Sequence, residues 1–565
     1  MTTLQEGLCS TQEELTEEEG NGVNVQKALI DWKEARASLS DAIQSYTHAS
    51  AVLGSTCGEA LRQHSEDEPI ENALLELDSQ SSSLASEEVT LRYTRISLLK
   101  LRNQSRTLVP INAYPPEVLA RILYFAKDYC YRLGREREYN ILAEVCVYWR
   151  EIAINQPDMW AHIDITPGSS LCMPSIFLKR SRNLPIHVHV VDKSATSSTP
   201  LFKRILHLLM PHMHRIHSLN LDSQSERLHP NTLQSILNAW CENGPHTTNS
   251  LYFHRRRGRD VYYPDVRMAD EGDETGRVTK IAANNVLSFV QILHLEGVLF
   301  DQRNQVYHRL VDLRLHGPLH PNFEVPVSLL CKVFASSPQL AILKVQNVNI
   351  TSTEDWVSQG PYQLPCLKVL NLVGLGSRSI KLVLPLITQP NHHTQLSVGF
   401  TFWAHGALTE TRDFFKRSEV ATVYRRDDIS HFVLWGLSKP LSYLIVHEVA
   451  VIRSQSVMFQ KAGEAGIDLG PPSFVKVDRL ALLLCSFTME SVMDLVRACN
   501  VKYLRLEACT YLGHESRDEE GHMESVSMDE LPAFLSNAFP GIECTICDFD
   551  STGEWPCRAL FEDDV

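Results

Sequence analysis

The sequence predicts an α+β multidomain chain: an N-terminal helical hairpin or coiled coil, a three-helix module, and an irregular α/β repeat solenoid. Three observations predict it. Apolar residues between 23 and 107 recur at helical steps. Two short amphipathic segments follow between 108 and 165, the first opened by paired prolines. From 180 to 550 a degenerate L-x-x-L-x-L pattern keeps returning.

Bulk composition sets the frame. The chain has 565 residues, enough for several domains at ~150 residues each. With 44% hydrophobic and 21% charged residues it reads as a globular protein with a sizeable core. A net charge of −15 repels polyanions, so nucleic acid is not an expected partner. The start, "MTTLQEGLCSTQEELTEEEG", has neither a basic opening nor an apolar run, and does not read as a signal peptide. No stretch reaches the roughly 18 apolar residues of a membrane span. The expected compartment is therefore cytoplasmic, nuclear or both, with the 14 cysteines reduced.

Residues 1–22 are acidic and expected to be disordered. Val25, Leu29, Trp32, Leu39, Ile43 and Tyr46 then alternate steps of three and four, with Arg36 in one slot. After the polar break "SEDEP", Ile70, Leu77, Leu84, Leu91 and Leu98 recur every seventh residue, with Leu74 at a half-step. Such recurrence keeps one stripe on one side of a slightly underwound helix. Ser81, Glu88 and Arg95 make it an imperfect seam. Residues 23–107 can pair within one chain or between chains, so self-association through them stays open.

Pro110 closes this region, since the residue before a proline is pushed out of helical geometry. In "YPPEVLARIL", proline costs nothing in the first helical turn, and Glu117 sits at the positive end of the helix dipole. The spacing predicts helices over 116–126 and 139–154, with Leu119, Ile122 and Leu123 on one face of the first. Leu142, Val145, Trp149 and Ile152 form a stripe on the second. About fifty residues cannot cover this apolar area with their own core, so the module is expected to dock on something.

The later repeat reads through Ile216, Leu219 and Leu221, then Val290, Leu293 and Leu295. Further copies fall at Leu310, Leu313 and Leu315; Leu340, Leu343 and Val345; Leu367, Leu370 and Leu372; Leu441, Leu444 and Val446; and Val501, Leu504 and Leu506. A weaker copy holds Leu482 and Leu484. Steps of 20, 30 and 27 residues separate Leu293, Leu313, Leu343 and Leu370, which bracket a leucine-rich-repeat length. Each unit offers a short strand that cannot bury its aliphatic face alone, so units are expected to stack. Before them, Ile186, Val188 and Val190 in "IHVHVV" alternate as in a half-buried strand. The fit is poor at 250–280 and 373–440, which read as insertions, and 551–565 reads as an acidic tail.

The 108–165 segment resembles the F-box family, whose motif runs approximately leucine-proline-x-E-[VIL]-L-x-x-I-[FL] and then V-C-x-x-W-R. Pro116, Glu117, Val118, Leu119, Ile122 and Leu123 match the first half, and Val145, Cys146, Trp149 and Arg150 the second. "PDMWAHI" resembles the close of the domain in fungal F-box proteins. Tyr114 stands where the family has leucine, and "KDYCYRLGREREY" lengthens the link between the halves. The resemblance implies a non-catalytic substrate receptor of a Skp–cullin–F-box ubiquitin ligase. It would bind the Skp-type adaptor, and through it cullin, by way of Pro115, Pro116, Glu117, Leu119, Ile122, Leu123, Val145 and Trp149. The repeat region would hold a protein substrate. The alternative is a repeat scaffold with no ubiquitin role, in which 108–165 caps the repeats.

No enzyme motif is intact: there is no Walker loop, no G-x-G-x-x-G, no G-x-S-x-G and no H-E-x-x-H. "DFDSTG" from Asp548 lacks the glutamate that would close a calcium loop, having Ala559 there. Cys544 and Cys547 have no second pair, and alternation through Ile542, Cys544 and Ile546 reads as a strand. His212, His214 and His217 read as surface or packing histidines, and the basic run Arg255–Arg259 as a solvated loop. No cofactor or metal is expected.

Overall fold

A computed structural model describes residues 25–62, 68–105, 107–132, 143–166, 170–192, 199–223, 230–247, 249–255, 286–317, 323–352, 360–388, 396–400, 407–425, 440–447, 476–517, 523–525 and 537–547. The expected disordered start at 1–22, the tail at 551–565, the residues of the basic run after Arg255, Leu142 and the Asp548 loop lie outside them. The chain divides into two compact units, Met1–Ala113 and Tyr114–Val565.

The first unit is built from α1 (Val25–Arg62) and α2 (Glu68–Gln104). Both line one groove of about 960 Å³, with Leu39, Ile43, Tyr46 and Leu53 from α1 and Leu77, Leu84 and Leu91 from α2. A connector of five residues between two long helices that share a groove makes them antiparallel, so the seven-residue stripe of α2 faces α1 in the same chain. The packing is loose. Leu77, Leu84 and Leu91 remain 40–45% exposed, and Cys57 is the one buried apolar residue of this unit among the described residues.

The second unit holds a 14-stranded sheet. Its strands, numbered here along the chain, are β1 (His162–Ile165), β2 (Ile186–Asp192), β3 (Ile216–Ser223), β4 (Asn249–Arg255), β5 (Val290–Glu296), β6 (Asp312–His316) and β7 (Ile342–Gln346). They continue as β8 (Val369–Leu372), β9 (Leu396–Phe400), β10 (Val420–Arg425), β11 (Leu441–His447), β12 (Val477–Leu483), β13 (Tyr503–Glu507) and β14 (Glu543–Cys547). All pairings are parallel, and the order across the sheet is the order along the chain. Parallel neighbours need crossovers, and the described ones include helices such as Pro230–Asn243, Val327–Ser336 and Met489–Cys499.

The register explains the leucine pattern. One row of paired positions runs from Ile163 through Leu219, Leu293, Leu313, Leu343, Leu370 and Leu444 to Leu504, each at most 1% exposed. A second runs through Ile165, Leu221, Leu295, Leu315, Val345, Val446 and Leu506. These rows cover one face, and Trp240 packs in the core with its indole N–H donating to Ile216 O at 2.8 Å. The opposite face carries Asp164, His189, Asn220, Tyr252, His294, Arg314, Lys344 and Asn371 at one register level.

Three expectations need correction here. The stretches read as insertions contain strands: β4 places Leu251 and Phe253, β9 places Val398, and β10 places Val423 in the buried rows. The weak copy at Leu482 and Leu484 is shifted, because the rows use Leu480 and Leu482. Leu484 follows the strand in left-handed geometry (φ 49°) and is 41% exposed. The sheet also starts earlier than residue 180, since β1 belongs to it.

Strand ends are tight. Asn347 turns left-handed after β7 (φ 52°) and its side-chain amide meets His316 Nε2 at 3.1 Å. Gly317 passes so close beneath it that an added Cβ would overlap the Asn347 carbonyl oxygen. We expect Gly317→Ala to cost about 2 kcal/mol or more, since backbone must move to admit the methyl group. Gly541→Ala, where a Cβ meets open space, should stay within about 0.5 kcal/mol. Paired thermal melts check both.

Candidate functional site

The site is built on α3 (Pro116–Arg132), α4 (Val147–Asn155) and the 3-10 turn Pro157–Trp160 that leads into β1. Pro115 starts α3 by offering its carbonyl to the N–H groups of Val118 and Leu119 at 3.0 and 3.1 Å. Cys146 caps α4. Its backbone is extended (φ −156°, ψ 171°) and its Sγ accepts the Trp149 N–H at 3.4 Å. The turn is tied down twice: Trp160 Nε1 donates to Ala153 O at 2.7 Å, and Lys127 Nζ donates to Met159 O at 2.8 Å. Trp160 then meets Phe177 edge to face at 5.0 Å, with the Arg180 guanidinium 4.4 Å over its ring.

Helix α3 has two apolar faces. Leu119, Ala120 and Leu123 are 1–4% exposed and pack into the module. Val118, Ile122 and Phe125, spaced i, i+4, i+7, are 42%, 37% and 55% exposed and form a ridge in solvent. Tyr114, Tyr124 and Val145 add 54%, 39% and 55% exposed apolar surface. Arg121 lies over the Phe125 ring at 4.6 Å.

The residues singled out in the sequence therefore part company. Pro115, Pro116 and Glu117 are exposed at the mouth of α3, and Ile122 and Val145 are exposed beside it. Trp149 is half-buried on α4. Leu119 and Leu123 are enclosed, so a partner reaches neither without moving the helix, and they support α3 from beneath. The reason is angular: residue 122 sits 100° from residue 123 on the helix, enough to turn it out. Phe125 was missed in the sequence and Val118, though matched to the motif, was not placed on the docking face, although their i, i+4, i+7 spacing with Ile122 was there to be read. Val145 lies in the turn before α4, not on a helical stripe, because the Cys146 cap starts the helix at Val147.

Beside the ridge, a groove of about 670 Å³ runs between α3 and the edge of the sheet. It is lined by Glu117, Arg121, Lys127, Asp158, His162 and His187, among others. The His162 and His187 rings stack at 5.8 Å. Burial pushes the His162 imidazole down to about 4 and lowers His187 as well.

The polar face of the sheet forms a second arrangement. His189 Nδ1 meets Asp164 Oδ1 at 3.2 Å across β1 and β2. Glu296 on β5 is held from both sides, by His254 on β4 at 3.2 Å and His316 on β6 at 3.6 Å. Burial alone would raise the Glu296 carboxyl, but hydrogen bonds from these imidazoles outweigh it and hold it well below the usual range. Arg314 clamps Asp312 with Nε–Oδ1 and Nη2–Oδ2 distances of 3.2 and 3.0 Å. His294 Nε2 is 3.3 Å from Asp312 Oδ2, within ion-pair range but off the hydrogen-bond direction. With the carboxylate committed to Arg314, burial dominates and lowers His294 to about 4.

Among the described residues no group of three or more His, Cys, Asp or Glu could hold a metal ion, and no helix is long and apolar enough to cross a membrane. No family model and no curated protein matches the chain.

Proposed function

We propose that the chain is the substrate-recognition subunit of a Skp–cullin–F-box ubiquitin ligase. The observation that supports this reading most is the apolar ridge Val118–Ile122–Phe125, left in solvent on a helix whose other face is pinned by Leu119 and Leu123. A large apolar patch that its own domain does not cover is a docking surface for another protein. On this reading the Skp-type adaptor sits on the ridge, on Val145 and on the exposed prolines, and links the chain to cullin. The sheet is read as a leucine-rich-repeat-like solenoid, because its parallel strands succeed one another in chain order with one unbroken aliphatic row from Ile163 to Leu504. The surface of this sheet domain would hold the protein substrate. The subunit itself catalyses nothing; it raises the effective concentration of substrate near the ubiquitin-charged enzyme.

One observation favours the scaffold alternative. β1 pairs with β2 in register from His162 to Ile165, so the module also covers the edge of the sheet, as a cap does. Deleting 108–165 would strip that edge and would not separate the two readings. Direct binding does. Purified full-length chain should bind purified Skp-type adaptor, and Phe125→Asp should remove that binding with the thermal midpoint unchanged. A chain that binds no adaptor, or binds equally well after Phe125→Asp, leaves the scaffold reading.

A further inference from the structure

We propose that a second copy of this chain docks along α2, antiparallel, through an apolar stripe that the hairpin does not use. Helix α2 carries two stripes. Leu77, Leu84 and Leu91 line the groove shared with α1. Leu75, Ser82, Ala85, Val89, Ile96 and Leu99 lie on another side, and with Asp78 and Arg92 they alternate steps of three and four, the spacing of a coiled-coil seam. Leu75, Ser82, Ala85 and Val89 lie within the stretch of α2 that lines the groove, Ala73 to Leu91, and none of them lines it. Leu75, Val89, Ile96 and Leu99 are 68%, 51%, 40% and 40% exposed.

The charges of α2 select the occupant. Every acidic residue of the helix precedes Val89 and every basic residue follows it. The helix dipole favours that order of signs only within the first and last turns, and Asp78, Glu87, Glu88 and Arg92 lie beyond its reach. Glu88 can pair with Arg92 along the helix, but one such pair does not segregate a whole helix. Nor does α1 answer the split. Its first part, antiparallel to the basic half of α2, mixes Lys27, Lys33 and Arg36 with Asp31, Glu34 and Asp41.

A second α2, turned around a two-fold axis, does answer it. An isologous contact must be self-complementary, and a helix acidic in one half and basic in the other is complementary to itself only when antiparallel. Asp78 and Arg92 stand seven residues either side of Ala85. A two-fold axis there brings each toward its opposite on the other copy, twice over. A parallel pair would set Asp78 against Asp78 and Arg92 against Arg92. Seating two such stripes removes on the order of 1,500 Å² from water, the size of a standard interface.

The test uses the full chain and is independent of the ligase reading. Sedimentation velocity at micromolar concentration should give twice the chain mass. Asp78→Arg and Arg92→Asp, both at exposed positions, should each weaken the dimer by at least about tenfold. The double variant restores both pairs with signs exchanged and should recover it, with helix content by circular dichroism equal in all three. A wild-type monomer, a dimer indifferent to the single changes, or a double variant as weak as the singles would each overturn the proposal.

Discussion

Ile122→Asp is expected to abolish adaptor binding by a chain that stays folded, and Leu119→Asp to unfold the module itself. The two residues are three apart on one helix, both aliphatic, and both matched by the F-box resemblance. Their surroundings decide the difference. Leu119 is 1% exposed, so an aspartate there is cut off from water and leaves the leucine contacts unmade. That costs about 4 kcal/mol or more, a large share of a typical 5–15 kcal/mol of stability. Ile122 is 37% exposed, and an aspartate there meets water in the free chain. It pays only when a partner covers the ridge, where an unpaired buried charge should weaken binding at least about 100-fold. Titration with purified adaptor reads the second effect. The emission of Trp160, buried against Phe177, reads the first, because unfolding exposes it.

The same contrast shows what could be read from the sequence. Helical periodicity located both long N-terminal helices, and L-x-x-L-x-L located the aliphatic rows at Leu219, Leu293, Leu313, Leu343, Leu370, Leu444 and Leu504. In these segments every leucine of the pattern does one thing, so pattern and packing agree. The missed strands carry the same rows with other residues: Phe253 in β4, Val398 in β9, Val423 in β10. Burial asks only for an apolar side chain, and a search keyed to leucine passes over the substitutes. On α3 the failure was of another kind. Spacing puts Leu119, Ile122 and Leu123 within one broad face, yet a helix with apolar residues on two sides does not say which side its own domain covers. Tertiary contacts with α4 and the 3-10 turn settle that. The ladder Asp164–His189, His254–Glu296–His316 and His294–Asp312–Arg314 was invisible for a similar reason: its members lie on different strands and meet only once the register is known.

That ladder also predicts how the fold responds to acid. Stability should fall as the pH drops from about 6.5 toward 4, before most carboxylates titrate. His294 is 4% exposed and its imidazole is lowered to about 4 by burial, against 6.5 when unfolded. Between those values the unfolded chain takes up a proton that the folded chain refuses, so unfolding becomes more favourable as pH falls. The contribution is whole above 6.5 and is lost on the way down to about 4. By pH 5 it amounts to about 2 kcal/mol for His294. His162 is lowered to about 4 by the same cause but keeps part of its surface in water, so its share is smaller. Asp312 and Glu296, both lowered, act in the same direction at more acid pH, where their protonation removes the clamps of Arg314 and of His254 and His316. The urea midpoint should therefore decline steadily from pH 7.5 to 5. In His294→Gln the decline should be shallower by His294's share, because glutamine has no proton to take up. The variant should be less stable than wild type at pH 7.5 and should close that gap toward pH 5. A variant that follows the wild-type slope over the whole range would show that His294 titrates normally, and that Asp312 and not burial governs it.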